Sequence, residues 1–340
     1  MKQKILVTLG PSSLNKDVIA KCDDVGVHLY RINLSHTSIT EVAKIIKKIK
    51  DWSGTPICLD SEGAQLRNQQ MASDQTNFIK GEKVIIHSNE IIGDKNNISF
   101  SPHGIVQQFS EGDRIKIDFN GTILKVVEVA KDNCLAVVVG SGLVGSNKAA
   151  DVDRKLEFDP LTKKDLSAIK EGLQLGVTNF ALSFTNKRQD VELMRQVCGA
   201  NSNIICKIES EEGILNLGDI MEVADQILID RGDLSRQIPI QKIPFLQRMI
   251  ISKAKAIKKP VYVATNLLET MVLHQFPNRA EVNDVVSTLQ MGATGLVLAA
   301  ETAIGRFPVS AVEMISDLIS ENERYNPNDS FDVILKNPVI

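Results

Sequence analysis

Ile204-Ile205-Cys206-Lys207-Ile208-Glu209 is an apolar, β-branched run that finishes on charges. A second run of the same kind, Gln226-Ile227-Leu228-Ile229, leads into Asp230-Arg231-Gly232-Asp233. Charges at the tips of buried strands are costly to place. In barrels of parallel strands those C-terminal tips are where the chemistry sits. Glu209 and Asp233 offer two carboxylates, the oxygen ligands that a Mg²⁺ ion prefers. Lys207 adds a cation beside them. Such a trio suits chemistry on a phosphate ester or an enolate. The competing reading of the same residues is a surface salt-bridge cluster.

Outward from these two runs, short apolar stretches alternate with helical patterns. Ile5–Leu9, Val27–Leu34 and Pro56–Leu59 read as the first three strands, the third ended by Asp60. Ser38-x-x-Glu41 reads as a capping box that opens a helix, with Val42, Ile45, Ile46 and Ile49 at helical spacing. From about Arg67 to Ala150 the alternation stops. Lys83–His87, Arg114–Asp118, Thr122–Ala130 and Cys134–Val139 read as strands, with Asn120-Gly121 as a tight hairpin turn. Alternation resumes with a helix over Thr162–Leu175, capped by Thr162-x-x-Asp165. Strands follow at Val177–Phe184, Ile204–Glu209, Gln226–Ile229, Val261–Thr265 and Gly295–Ala299. A long helix lies around Phe245–Ile257 and a last one starts at Pro308.

Eight strands with helices between most of them predict an α/β fold, a (β/α)₈ TIM barrel formed by 1–67 and 151–340. Residues 68–150 read as an inserted small β domain after strand three. A doubly wound sheet is the rival, but no G-x-G-x-x-G follows the first strand. The strand tips collect Thr8, Arg31, Asn33, Ser35, Asp60, Ser183, Lys207, Glu209, Asp233, Thr265 and Glu301.

The bulk numbers fit a soluble globular protein. The chain has 340 residues, 43% hydrophobic and 24% charged, enough for a large core and one or two domains. A net charge of −3 gives no reason to expect a nucleic-acid partner. No apolar run approaches the roughly 18–20 residues of a membrane span, and the start of the chain is too poor in apolar residues for a signal peptide. The five cysteines lack C-x-x-C spacing and read as buried free thiols, which fits a cytoplasmic location.

Several segments resemble the pyruvate kinase family. Thr8-Leu9-Gly10-Pro11-Ser12-Ser13 is similar to its opening turn, and Arg31-Ile32-Asn33-Leu34-Ser35-His36 to its R-x-N-F-S-H segment. Lys207-Ile208-Glu209 with Glu212-Gly213, Arg231-Gly232-Asp233-Leu234, and Ala264-Thr265-Asn266-Leu267-Leu268-Glu269-Thr270-Met271 resemble three more of its signatures. Pro277-Asn278-Arg279-Ala280-Glu281 and Glu301-Thr302-Ala303 resemble a further two, all in the family's order.

The resemblance implies Mg²⁺-dependent phosphoryl transfer from phosphoenolpyruvate to ADP, giving pyruvate and ATP, and makes the insertion at 68–150 a small β-barrel lid domain. It implies that Glu209 and Asp233 hold Mg²⁺ or Mn²⁺, and that Lys207 and Arg31 neutralise charge on the transferring group. Gly232, Asp233, Thr265 and Ser183 would bind substrate, with Thr265 near the site of proton transfer. Asn33, Ser35, Asp60 and Ser61 would hold a monovalent cation, normally K⁺. His36, Pro11 and Lys148 would lie near the nucleotide. The barrel would leave the chain a monomer or a homodimer, with a contact around Met271 and Arg279.

The sequence also departs from the family's pattern. The alanine of the A-R-G-D motif is Asp230 here, beside the substrate carboxylate, where it is expected to repel that group. The glutamate associated with the K⁺ requirement is Gln65, and an arginine after the fourth barrel strand is Asn186. The family's C-terminal domain has no counterpart in the sequence. These departures leave two rival readings: an enzyme of the same cation chemistry with a different acceptor or lyase-type use of the enolate, and a non-catalytic homologue.

Overall fold

The computed structural model of the protein describes residues 3–63, 65–118 and 121–336. By packing, the chain divides into two compact units. One comprises the chain up to Gly63 and again from Lys163; the other is the stretch between them.

The first unit is a closed barrel of eight parallel strands in sequential order. They are β1 (Lys4–Thr8), β2 (Leu29–Asn33), β3 (Ile57–Asp60), β4 (Asn179–Leu182), β5 (Asn203–Ile208), β6 (Gln226–Asp230), β7 (Val261–Ala264) and β8 (Gly295–Leu298). β8 closes on β1, with Leu6 facing Val297. Closure excludes the doubly wound sheet. The helices α1 (Lys16–Val25), α2 (Ile39–Trp52), α3 (Lys163–Gln174), α4 (Arg188–Cys198), α5 (Glu211–Leu215) and α6 (Leu217–Val223) follow the earlier strands. The later ones are α7 (Arg231–Gln237), α8 (Ile243–Ala256), α9 (Arg279–Met291), α10 (Ala300–Ala303) and α11 (Pro308–Arg324).

Every strand feeds the barrel interior. Leu6, Leu29, Cys58, Ala181, Ile205, Leu228, Tyr262 and Val297 pack together there. Side chains alternate faces along a strand, so the residue two positions on points the same way. That rule carries Thr8, Arg31, Asp60, Ser183, Lys207 and Asp230 to the C-terminal mouth of the barrel, above the apolar layer.

One local detail differs from the sequence reading, and a second adds to it. The Ser38 hydroxyl donates to the Glu41 carboxylate at 2.8 Å, and α2 has no side-chain cap on its backbone. Asp165 is fully buried and accepts from the backbone N–H groups of Glu62 (2.7 Å) and Gly63 (3.2 Å). It thereby anchors the loop that leaves β3.

The second unit is a closed barrel of seven strands with an additional two-stranded sheet. Leu66–Asn68 and Ala149–Val152 pair with each other inside it, so this unit extends past the expected 68–150 at both ends. Phe78, Ile86, Phe100, Ile115, Val126 and Val138 fill its core. The turn expected at Asn120-Gly121 includes Asn120, which lies outside the described residues.

Candidate active site

Arg31, Asp60 and Lys207 form a buried ionic group at the mouth of the eight-stranded barrel. Nε of Arg31 donates to Oδ2 of Asp60 at 2.6 Å, and Nη1 donates to the Thr8 hydroxyl at 2.9 Å. Nζ of Lys207 reaches the same Asp60 oxygen at 3.3 Å and the Ser183 hydroxyl at 3.1 Å. Burial alone would raise the Asp60 pKa, but the Arg31 and Lys207 charges outweigh it and hold the carboxyl below its ordinary value. Burial pulls the Lys207 pKa down; Asp60 and Glu209 more than reverse it, so the ammonium stays charged.

Glu209 is 0% exposed and Lys207 is 4% exposed, which rules out the surface salt-bridge reading. Oε1 of Glu209 lies 2.8 Å from Nζ of Lys207 yet receives no well-directed hydrogen bond. Oε2 accepts the backbone N–H of Phe184 at 2.6 Å. Phe184 adopts a left-handed φ of 48°, costly for a bulky residue, and strain of this kind gathers at working sites. Burial pushes the Glu209 carboxyl up to about 8; Lys207 opposes this, while Asp233, Asp230 and Asp60 add to it.

Asp233 sits in the first turn of α7 and accepts from Nη1 of Arg236 at 3.1 Å. Burial and the neighbouring Asp230 raise its pKa. Asp230 caps α7. Its Oδ1 accepts from Gly232 N–H at 3.1 Å and from the Thr265 hydroxyl at 2.6 Å. Arg236 therefore pairs with Asp233, and Asp230 points inward. One oxygen from each of Glu209, Asp230 and Asp233 lies within 4.8 Å of the other two. The three oxygens suit a hard divalent cation in charge and chemistry.

Gly232 has to be glycine for this packing, because a Cβ there would stand 2.8 Å from Cγ2 of Thr265. Thr265 and Asn266 follow β7 with φ of 74° and 55°. The Thr265 carbonyl accepts from Nε (3.0 Å) and Nη2 (2.6 Å) of Arg231, and Arg231 pairs in turn with Asp284. The strained turn is thus held by a fixed guanidinium.

The other expected residues fall as follows. Asn33 and Asp60 face each other in register at the ends of β2 and β3. Their donor oxygens already have partners: Asn33 Oδ1 accepts from Ser35 N–H at 3.0 Å. The Ser61 carbonyl accepts the Ser183 hydroxyl at 2.7 Å, and the Ser61 hydroxyl accepts Ser183 N–H at 2.9 Å. Pro11 begins the turn after β1, and His36 ends the 3₁₀ turn Leu34–His36. Lys148 belongs to the other unit, where its ammonium pairs with Asp118 at 3.3 Å. Glu301 at the eighth strand tip is a brace: its carboxylate accepts the N–H groups of Leu268 and Ala299. Asn186 is likewise occupied, its amide oxygen accepting the Ser210 hydroxyl.

The Phe184 N–H escaped sequence reasoning, since no side-chain pattern announces a backbone donor. The inward course of Asp230 had a signal in its spacing of two from Leu228. All five cysteines are buried and free. Among the described residues no helix is long and apolar enough to cross a membrane.

A family model for the pyruvate kinase barrel domain matches residues 1–312. A pyruvate kinase of Thermococcus litoralis is 33% identical over 333 residues, covering 95% of this chain and 70% of the relative. One from Clostridium acetobutylicum is 32% identical over 341 residues, covering 97% and 72%. One from Bacillus licheniformis is 32% identical over 334 residues, covering 95% of this chain and 57% of the relative.

Proposed function

The chain belongs to the pyruvate kinase family and is a pyruvate kinase-like enzyme, and from that premise we propose that it transfers the phosphoryl group of phosphoenolpyruvate to ADP, giving pyruvate and ATP. The observation that carries this reading is the buried Lys207 ammonium between Asp60 and Glu209, beside the three clustered carboxylates.

Phosphoryl transfer passes through a loose transition state whose charge spreads over the phosphoryl oxygens, so catalysis is mostly positioning and electrostatics. Lys207 is held by Asp60, Glu209 and Ser183 and would meet that charge without reorganising. Arg31, fixed by Asp60 and Thr8, would add a second positive charge. Glu209 and Asp233 would hold Mg²⁺ or Mn²⁺. When bound, the ion supplies Lewis-acid stabilisation of the phosphoryl and enol oxygens. The Thr265 hydroxyl, which donates to Asp230 at 2.6 Å, would lie near the substrate and assist proton transfer at the enol carbon. Asn33, Ser35, Asp60 and Ser61 are the candidate K⁺ ligands.

A second reading keeps the cation chemistry and changes the substrate or acceptor. Asp230 favours it, because its carboxylate already occupies the Gly232 N–H and the Thr265 hydroxyl expected to receive the substrate carboxylate. A coupled assay with phosphoenolpyruvate, ADP and Mg²⁺ or Mn²⁺, with and without K⁺, decides between the two. Saturable pyruvate and ATP formation supports the first reading. Divalent-cation binding without turnover moves the assignment to the second.

A further inference from the structure

Asp230 is inward-facing, 9% exposed and within 4.8 Å of Glu209 and Asp233 through one oxygen each. Its hydrogen bonds fall on Oδ1, from Gly232 N–H and the Thr265 hydroxyl. These two donors lock the side chain in one orientation and leave the second oxygen for another partner. Glu209 is paired with Lys207, and Asp233 with Arg236. Asp230 makes no ion pair among the described residues. The Arg31 and Lys207 charges act on Asp230, but three carboxylates so close together still favour a further positive charge in the group. Oε1 of Glu209 is fully buried and, although 2.8 Å from the Lys207 ammonium, receives no directed hydrogen bond, which leaves it capacity for a ligand.

We propose that Asp230 is a third protein carboxylate of the divalent-cation site, so that this chain's affinity for its cation depends on Asp230 even without substrate. The inference rests on the cation site of the function proposed above and adds a ligand to it. Three fixed carboxylates supply about half of the roughly six positions that Mg²⁺ or Mn²⁺ takes. The bare site then has the charge and geometry to retain the ion. The alternative is that Asp230 serves only to cap α7.

The test is Mn²⁺ binding to the substrate-free chain, followed by calorimetry and by the loss of the free-ion electron paramagnetic resonance signal. The wild type is expected to bind one Mn²⁺. Asp230→Asn keeps an oxygen for Gly232 N–H and Thr265 and removes the charge. It should melt at the wild-type temperature and bind Mn²⁺ at least about tenfold more weakly. Asp230→Ala should weaken binding at least as much. Wild-type affinity in Asp230→Asn overturns the proposal and leaves Asp230 a helix cap, as does the absence of saturable Mn²⁺ binding by the wild type. Transfer from phosphoenolpyruvate to ADP is assayed separately. Asp230-dependent binding without transfer removes the proposed function and keeps this inference; transfer with Asp230-independent binding does the reverse.

Discussion

Oε1 of Glu209 lies 2.8 Å from Nζ of Lys207, and the two side chains are 0% and 5% exposed. They stand two residues apart on one strand, so both point to the barrel mouth. The ammonium sits between this carboxylate and Asp60 and does not need to be recruited from solvent. Replacing it by an apolar side chain of similar length removes a preorganised positive charge. Lys207→Met is expected to lower kcat for phosphoryl transfer about 10²- to 10³-fold while Mn²⁺ still binds. Activity within about tenfold of wild type would take Lys207 out of the transfer step.

The inward march of polar residues was legible because strands repeat every two residues. Leu29 to Arg31, Cys58 to Asp60 and Ile205 to Lys207 could be read from spacing alone. Helix α1 was not, since only Ile19 and Cys22 of its residues are buried and its apolar stripe is thin. Three-residue strands such as Leu66–Asn68 and Thr76–Phe78 are too short for an alternating pattern to register. The role of Asp230 was anticipated as repulsion of a substrate. The structure adds two protein donors, the Gly232 N–H of its own helix cap and the Thr265 hydroxyl from the tip of β7, where Thr265 and Asn266 have left-handed φ values. Backbone conformation of that kind has no single-residue signature when the residue is not glycine.

Asp60 couples stability to acid pH. Its folded pKa is held below the ordinary value by Arg31 and Lys207 despite burial. The stability it contributes is therefore complete above the unfolded value of about 3.9 and is lost as pH falls through the lower folded value. Asp60→Asn leaves two buried cations short of a partner and should cost on the order of 3–5 kcal/mol at pH 7. Urea unfolding from pH 7 down to the acid limb should show a steeper loss in the wild type than in Asp60→Asn. Parallel profiles would disconnect Asp60 from the acid transition.

Lys258 offers a stability gain away from the site. It follows α8 with a φ of 56°. Lys259 N–H closes the helix end onto the Ala254 carbonyl at 2.8 Å. A left-handed non-glycine residue costs roughly 1–2 kcal/mol, while glycine adds about 0.5–1 kcal/mol of unfolded-chain entropy. Lys258→Gly should therefore stabilise the chain by about 0.5–1 kcal/mol with unchanged kinetics. A lower melting temperature would show that the lysine side chain contributes more than its backbone costs.

Glu209→Gln should separate stability from function. The amide oxygen can still accept the Phe184 N–H that Oε2 now takes. What disappears is a carboxylate whose pKa burial pushes up to about 8. A folded pKa raised above the unfolded one gives stability that is present below the unfolded value, about 4.3, and lost as pH rises through the folded value. Without a bound cation, the wild type should lose stability on going from pH 5 to pH 9, by an amount on the order of a few kcal/mol. The glutamine variant has no such loss, so the stability difference between the two should move in its favour across that window. Lys207 loses one partner in the variant but keeps Asp60 and Ser183. Mn²⁺ binding should fall together with phosphoryl transfer, and added Mn²⁺ should restore the high-pH stability of the wild type only, since a ligand that binds the folded state stabilises it. Melting curves at both pH values, with and without Mn²⁺, give all four comparisons. A variant that tracks the wild type in pH dependence, or that gains stability from Mn²⁺ equally, would show that Glu209 is neither the titrating group nor a ligand.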